Sequence, residues 1–173
     1  MRRTAELVCL IALSLPAFAV HALESDRNQP MDIEADDSDA DLNTGVVKLI
    51  GAVRINQGSL KIEADAGEIH RTGEAGDISR VLLEGSPTCL EQQLDNAAGM
   101  MRACSSRVEY DVSSDTVVLT GNVRIEEPRG RLTGERVTYD IARGRVQGQS
   151  GGGDGRVRLV IPPRTGDTSG ENP

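Results

Sequence analysis

Val47-Lys-Leu-Ile-Gly-Ala-Val-Arg-Ile55 returns seventy positions later as Val117-Val-Leu-Thr-Gly-Asn-Val-Arg-Ile125, with Val, Leu, Gly, Val, Arg and Ile in identical places. A weaker echo, Val81-Leu-Leu-Glu-Gly-Ser-Pro87, lies between them, so Gly51, Gly85 and Gly121 stand 34 and 36 residues apart. A period of this size marks a repeat architecture, in which each unit buries its apolar face against its neighbour. Each unit alternates apolar and polar residues, which is the period of a strand. Val117, Leu119, Val123 and Ile125 share one face, while Lys48, Arg54 and Arg124 take the other. Val108, Tyr110 and Val112 group in the same way, as do Val137, Tyr139 and Ile141. The fold class is therefore all-β, built from similar stacked hairpins with one greasy and one wet face. That pattern suits two facing sheets or a flattened barrel. The recurrent glycine inside each strand predicts a bulge or a bend.

Strand-like runs are predicted at 46–57, 60–70, 78–84, 87–94, 100–112, 116–127, 131–142 and 156–161. Met31-Asp-Ile33 begins the alternation, and turns such as Asn43-Thr-Gly45, Arg71-Thr-Gly73 and Ser113-Ser-Asp115 separate the runs. Residues 36–41 read as an acidic, turn-rich stretch, and Gly148 to Gly155 as a loose glycine loop.

The ends stand apart. Arg2 and Arg3, the apolar run Leu7 to Ala19, and Val20-His21-Ala22 read as a secretory signal over residues 1–22, with a cut after Ala19 as the alternative. Cys9 lies inside the apolar run and makes a poor lipoprotein anchor. One domain is expected over 23–163, followed by a frayed polar tail, 164–173. Without the two arginines and one glutamate of the leader, the formal charge moves from −8 to −9. That balance argues against a nucleic-acid partner, which demands a basic footprint. Only Tyr110 and Tyr139 remain as aromatics, so the core must come from Val, Ile, Leu, Met and Ala.

Chemistry-bearing constellations are sparse. Asp37-Ser-Asp39-Ala-Asp41 copies the first half of a calcium loop, but Leu42 and Lys48 stand where glycine and a bidentate glutamate belong. Gly148-Gln-Ser150-Gly-Gly152 matches a nucleophile elbow without its strand–turn–helix setting or a following histidine. His70, at a strand end beside Arg71, reads as a solvated turn residue. No Cys or His pair has zinc spacing, and no metal or cofactor is implied. The carboxylates sit in turns and on the wet face, so a binding or carrier role is expected rather than an enzyme. The rivals are a carbohydrate-active β-solenoid enzyme and a ligand-free structural repeat protein.

Cys89 and Cys104 are an even count in an exported chain. Their midpoint falls inside Leu94-Asp-Asn-Ala-Ala-Gly99, and a hairpin about that point sets them opposite one another as a disulfide candidate. The alternative is two buried thiols acting as small hydrophobes.

Taken in order, several stretches resemble the OstA-like family, the lipopolysaccharide transport protein A family of Gram-negative periplasms. They are Gln29-Pro-Met-Asp-Ile-Glu-Ala-Asp36, Gln57-Gly-Ser-Leu-Lys-Ile-Glu-Ala-Asp65, Gly85-Ser-Pro87, Val117-Val-Leu-Thr-Gly-Asn122, Glu135-Arg-Val-Thr-Tyr139 and Arg158-Leu-Val-Ile-Pro162. The resemblance implies an open, slightly twisted antiparallel β-jellyroll. It implies lipopolysaccharide as ligand, its lipid A acyl chains in an apolar groove. It also implies head-to-tail self-association that bridges an inner-membrane export complex, through its single-span OstA-like component, to an outer-membrane translocon. The matching ligand-facing positions are Met31, Leu90, Tyr110 and Val112, and Ile33 is added because it shares the face of Met31. The two cysteines and the scarcity of aromatics depart from many relatives. Arg54, Lys61, Arg124 and Arg131 are the cations that could meet phosphates, although parity turns Arg54 and Arg124 outward.

Overall fold

The computed structural model describes residues 26–73, 76–94, 99–141, 143, 145–151 and 155–163. The predicted signal, 1–22, and the tail, 164–173, lie outside them. After a single 3-10 turn, Asp26–Asn28, come ten strands: β1 Met31–Glu34, β2 Asp37–Asp41, β3 Val46–Gln57, β4 Leu60–Thr72, β5 Asp77–Gln93, β6 Met100–Asp111, β7 Thr116–Glu127, β8 Gly130–Asp140, β9 Arg145–Gln149 and β10 Arg158–Val160. They form one antiparallel sheet in the order β1-β3-β4-β5-β6-β7-β8-β10, with β2 also on β3 and β9 also on β8.

The registers show how one sheet makes two layers. β1 pairs with residues 54–57 of β3, and β2 with residues 46–50. The β3–β4 ladder shifts between Ile50 and Val53, β5–β6 between Glu84 and Thr88, and β7–β8 between Thr120 and Val123. Gly51, Gly85 and Gly121 sit in those three breaks, so the repeated glycines mark a bend crossing the sheet. One half-sheet runs β1, then the matching halves of β3 to β8, then β10. The other runs β2, the remaining halves of β3 to β8, then β9.

Gly51 and Gly121 have φ of 74° and 85°, in the region that costs any other residue, and Ala52 and Asn122 follow them there. A Cβ on Gly121 would also approach the Ser106 side chain at 2.7 Å. Gly121→Ala is therefore expected to cost about 1–3 kcal/mol. Asn122→Gly, which relieves a left-handed residue, should be close to neutral. Urea unfolding midpoints check both, and equal midpoints for Gly121→Ala and the parent would refute the bend argument.

The tightest packing lies at the bend. Leu83, Val53, Val123, Val137, Thr88 and Ser105 are the most completely enclosed large side chains. Farther along the same inner face Ile55, Ile69 and Ala103 are still buried, but Ile33, Ile62, Leu90, Val117, Ile125 and Leu132 are only half-buried. The two halves thus close at the bend and open away from it, giving an open antiparallel β-jellyroll with no α-helix among the described residues.

Several expectations need correction. Residues 37–41 are a strand, not a turn, with all five side chains exposed. The runs 78–84 and 87–94 are one strand, bent at residues 85–87. Gly148 and Gln149, expected in a loose loop, belong to a strand, because Arg145–Gln149 pairs with β8, and residues 152–154 of that expected loop lie outside the described residues. His70 lies inside β4, its Nε2 3.4 Å from a Glu68 carboxylate oxygen, rather than in a turn.

The turns reuse one chemistry. The Asp41 carboxylate accepts from the amides of Asn43 and Thr44, and that of Asp111 accepts from Ser113 Oγ and Ser114 N. Those bonds, the Ser113 hydroxyl first, lower the Asp111 carboxyl to about 2.

Candidate functional site: an apolar groove between the half-sheets

Inner-face side chains align in rows that cross every strand. In the first half-sheet, Ile33, Ile55, Ile62, Leu90, Ala103, Ile125, Leu132 and Leu159 follow one another through successive pairings. In the second, Val47, Ile69, Val81, Tyr110, Val117, Tyr139 and Val146 do the same. Such rows are what period-2 alternation produces when registers are kept. Each is a continuous apolar strip running the length of the molecule.

Between the strips, at the β1–β2 end, lies an open cavity of about 980 Å³. Ile33, Val47, Leu49, Ile69 and Ile78 line it, with Glu34, Asp36, Arg54, Arg71 and Asp77 also on its wall. Arg54 faces Glu34 at 3.9 Å, and Arg71 Nε donates to the Gly76 carbonyl at 2.8 Å. A smaller cleft of about 490 Å³ holds Asn122, Arg124, Thr133 and Arg156.

Ile33 pairs with Ile55, and Met31, 41% exposed, shares its face in β1. Leu90 lies between Ile62 and Ala103 in the first half-sheet. Tyr110 lies between Val81 and Val117 in the second, its hydroxyl donating to Asp115 Oδ1 at 3.0 Å. Val112, just beyond β6, is 38% exposed, and its amide donates to the Ser79 carbonyl. Three of the five thus stand on one half-sheet and two on the other. Only Ile33 lines the larger cavity. Val47, Ile69 and Ile78, which do line it, were not singled out in the sequence, although Val47 already shows the right parity.

Of the cations named in the sequence, Arg54 stands on the wall of the larger cavity and Arg124 in the smaller cleft, while Lys61 and Arg131 lie on the outer face. Arg131 pairs with Glu126 at 2.8 Å, and Lys61 and Arg124 are exposed in the ladders opposite Glu91 and Thr133. Exposed pairs of this kind contribute little to stability. Among the described residues, no group of three or more His, Cys, Asp or Glu is placed to hold a metal.

Cys89 and Cys104 are directly opposed in the β5–β6 ladder and joined by a disulfide. Leu90 and Ala103 beside them face inward, so the bridge lies on the outer side of the sheet.

The entry to β1 is also fixed. The Asp26 carboxylate is buried and accepts from Ser59 N at 3.0 Å, Ser59 Oγ at 2.5 Å and Gln92 Nε2 at 3.2 Å. Burial pushes its carboxyl up, but the Ser59 and Gln92 hydrogen bonds outweigh it and hold the group below its ordinary value. A depressed carboxyl stabilises the fold above the unfolded value, and that contribution is lost as pH falls through the folded one. The protection factor of the Ser59 amide, its intrinsic exchange rate over the observed one, is therefore expected to fall on acidification below the usual carboxylate range. Asp26→Asn should show fast exchange already at neutral pH. An amide protected equally in parent and variant would remove Asp26 from that role.

Residues 32–145 match the family described as LptA/(LptD N-terminal domain) LPS transport protein. The lipopolysaccharide export system protein LptA of Escherichia coli (strain K12) is 31% identical over 160 residues, covering 91% of this chain and 83% of that one. The lipopolysaccharide export system protein LptH of Pseudomonas aeruginosa is 29% identical over 167 residues, covering 93% and 95%. The crystal structure of LptH, described as the LptA-homologous periplasmic component of the lipopolysaccharide transport device of Pseudomonas aeruginosa, superposes with a TM-score of 0.70. That match has 26% identity, over 80% of this chain and 99% of the other.

Proposed function

Since the chain belongs to the LptA/LptD N-terminal family and so serves lipopolysaccharide transport, we propose that its groove carries lipid A acyl chains across the periplasm. The observation that carries this reading is the pair of apolar strips, one from β1 to β10 and the other from β3 to β9, partly exposed at Ile33, Ile62, Leu90, Val117, Ile125 and Leu132, with an open cavity between them at the β1–β2 end. A ligand-free repeat protein would be expected to fill that space with its own side chains.

The energetics favour acyl chains as cargo. Each buried methylene is worth roughly 0.8 kcal/mol, so a chain of about a dozen gains on the order of 10 kcal/mol before ordering costs. No exposed ion pair approaches that. An acidic protein can therefore hold an anionic glycolipid, provided its sugars and phosphates stay in water.

In this reading the chain is a carrier and not an enzyme. It is exported by residues 1–22 and works between the inner-membrane export complex, with its single-span OstA-like component, and the outer-membrane translocon. Copies of the chain associate head to tail to span the gap. Mass spectrometry of lipid released from the mature protein, purified from a lipopolysaccharide-producing host, is the test. Lipopolysaccharide is the expected species. A protein that emerges lipid-free, and fails to bind labelled lipopolysaccharide, would end the proposal.

A further inference from the structure

The sheet ends in two pairs of edges, and they differ in charge. Residues 31–41, which hold β1 and β2, contain Asp32, Glu34, Asp36, Asp37, Asp39 and Asp41 and no cation. At the opposite end, residues 143–163, which hold β9 and β10, contain four arginines, Arg143, Arg145, Arg156 and Arg158, against one carboxylate, Asp154, and Arg143 is paired with Asp140 just before them. Every side chain of β2, β9 and β10 is exposed.

The topology determines what each edge can accept. Each half-sheet holds eight strand segments among the described residues, all paired antiparallel. Eight is even, so the first and last segments of each half run in opposite directions. A second copy in the same orientation, beside the first, meets it antiparallel in both halves at once. β10 then faces β1 of the next copy, and β9 faces β2. Inner-face apolar residues at these edges, Leu159 at 62% exposure and Met31 at 41%, extend the strips toward the junction. By parity the outer faces then set Asp32, Glu34, Asp37, Asp39 and Asp41 of one copy toward Arg145 and Arg158 of the other.

We propose that this charge polarity is a key that makes association one-directional. Acidic edges repel acidic edges and basic edges repel basic ones, so only the basic end of one copy joins the acidic end of another. The proposal rests on the self-association within the functional reading above, and adds how its direction is chosen. Opposite charges across paired strands attract, and like charges placed there repel. A contact of this kind does not close on itself, so the product is a ladder of oligomers.

The test uses the mature chain and two variants. One carries Asp32→Lys, Glu34→Lys, Asp37→Lys and Asp39→Lys, which sets four lysines against Asp36 and Asp41 and makes both of its ends basic. The other carries Arg145→Glu, Arg156→Glu and Arg158→Glu, which sets three glutamates against Arg143 and makes both acidic. All seven positions are exposed, and thermal melting verifies folding. Light scattering should show the parent forming a ladder that weakens as salt rises from about 0.05 M to about 0.5 M, where exposed charges are screened. Each variant alone should associate about tenfold more weakly or worse, given several attractions turned to repulsions. Mixed in equal amounts, the two should rebuild the ladder. A parent ladder indifferent to salt and to both variants would overturn the charge key and leave self-association standing. Two weak variants that fail to reassemble on mixing would also overturn it. A parent that stays monomeric at every concentration would overturn both the key and the self-association beneath it.

Discussion

Val112→Asp is expected to lower lipopolysaccharide affinity by about a hundredfold or more while the protein still folds. Val112 extends the inner face of Val108 and Tyr110, yet it is 38% exposed and outside the packed cluster at the bend. In the free protein the new carboxylate can therefore reach water. With acyl chains in the groove it must shed that water or take up a proton, which costs several kcal/mol in an apolar site. Three or so kcal/mol already corresponds to about a hundredfold in affinity. Val112→Leu, which keeps the surface apolar, should bind like the parent. Titration with labelled lipopolysaccharide, beside thermal melting of each variant, separates lost binding from lost folding. Parent-like affinity in a folded Val112→Asp protein would take Val112 out of the groove.

What the sequence made legible was the part of the fold that leaves a mark on both faces of a strand. β3 and β7 fall at 46–57 and 116–127 as read, because each repeats apolar residues at alternate positions on both sides of its glycine and ends in turn residues. The repeated glycine was readable as a bend, since Gly51, Gly85 and Gly121 interrupt that alternation at the same place. β2 and β9 left no such mark. Their side chains are exposed on both faces, so neither alternation nor hydrophobicity reveals them, and only backbone pairing to β3 and β8 makes them strands. Three aspartates in five residues argue against a strand by propensity, yet an edge tolerates them because charge also protects an unpaired edge.

The groove was legible by face but not by depth. Parity puts Val47, Leu49 and Val53 on one inner face, but Val53 is sealed while Val47 lines the cavity. The difference is distance from the bend, and that depends on where six strands bend together. The large cavity therefore took in Ile69 and Ile78, which no local pattern distinguishes from other inward residues, whereas Leu90 and Tyr110 lie elsewhere on the strips. The inward positions follow from local alternation, and the part of the groove that opens follows from long-range register.

Removing the Cys89–Cys104 bridge is expected to cost about 3 kcal/mol of stability and to leave lipid binding intact at low temperature. The two residues are 15 apart in sequence and directly opposed across β5 and β6. Closing so short a loop removes denatured-state entropy worth about 3 kcal/mol in the chain-entropy view. For a domain of this size, such a loss lowers the melting temperature by roughly 6–12 °C. The bridge also sits next to the bend, since the β6–β7 ladder shifts register just past Cys104 and the β5–β6 ladder just before Thr88. It therefore ties two central strands where backbone pairing is weakest, on the face away from the groove. Leu90 and Ala103 keep their inward places without it, which is why binding should survive. Cys89→Ser with Cys104→Ser, melted beside the parent with and without reductant, measures the cost. Reductant should shift the parent and not the double variant. A parent that melts at the same temperature in both conditions, or that yields two alkylated thiols when unfolded without reductant, would show that no bridge holds the strands together.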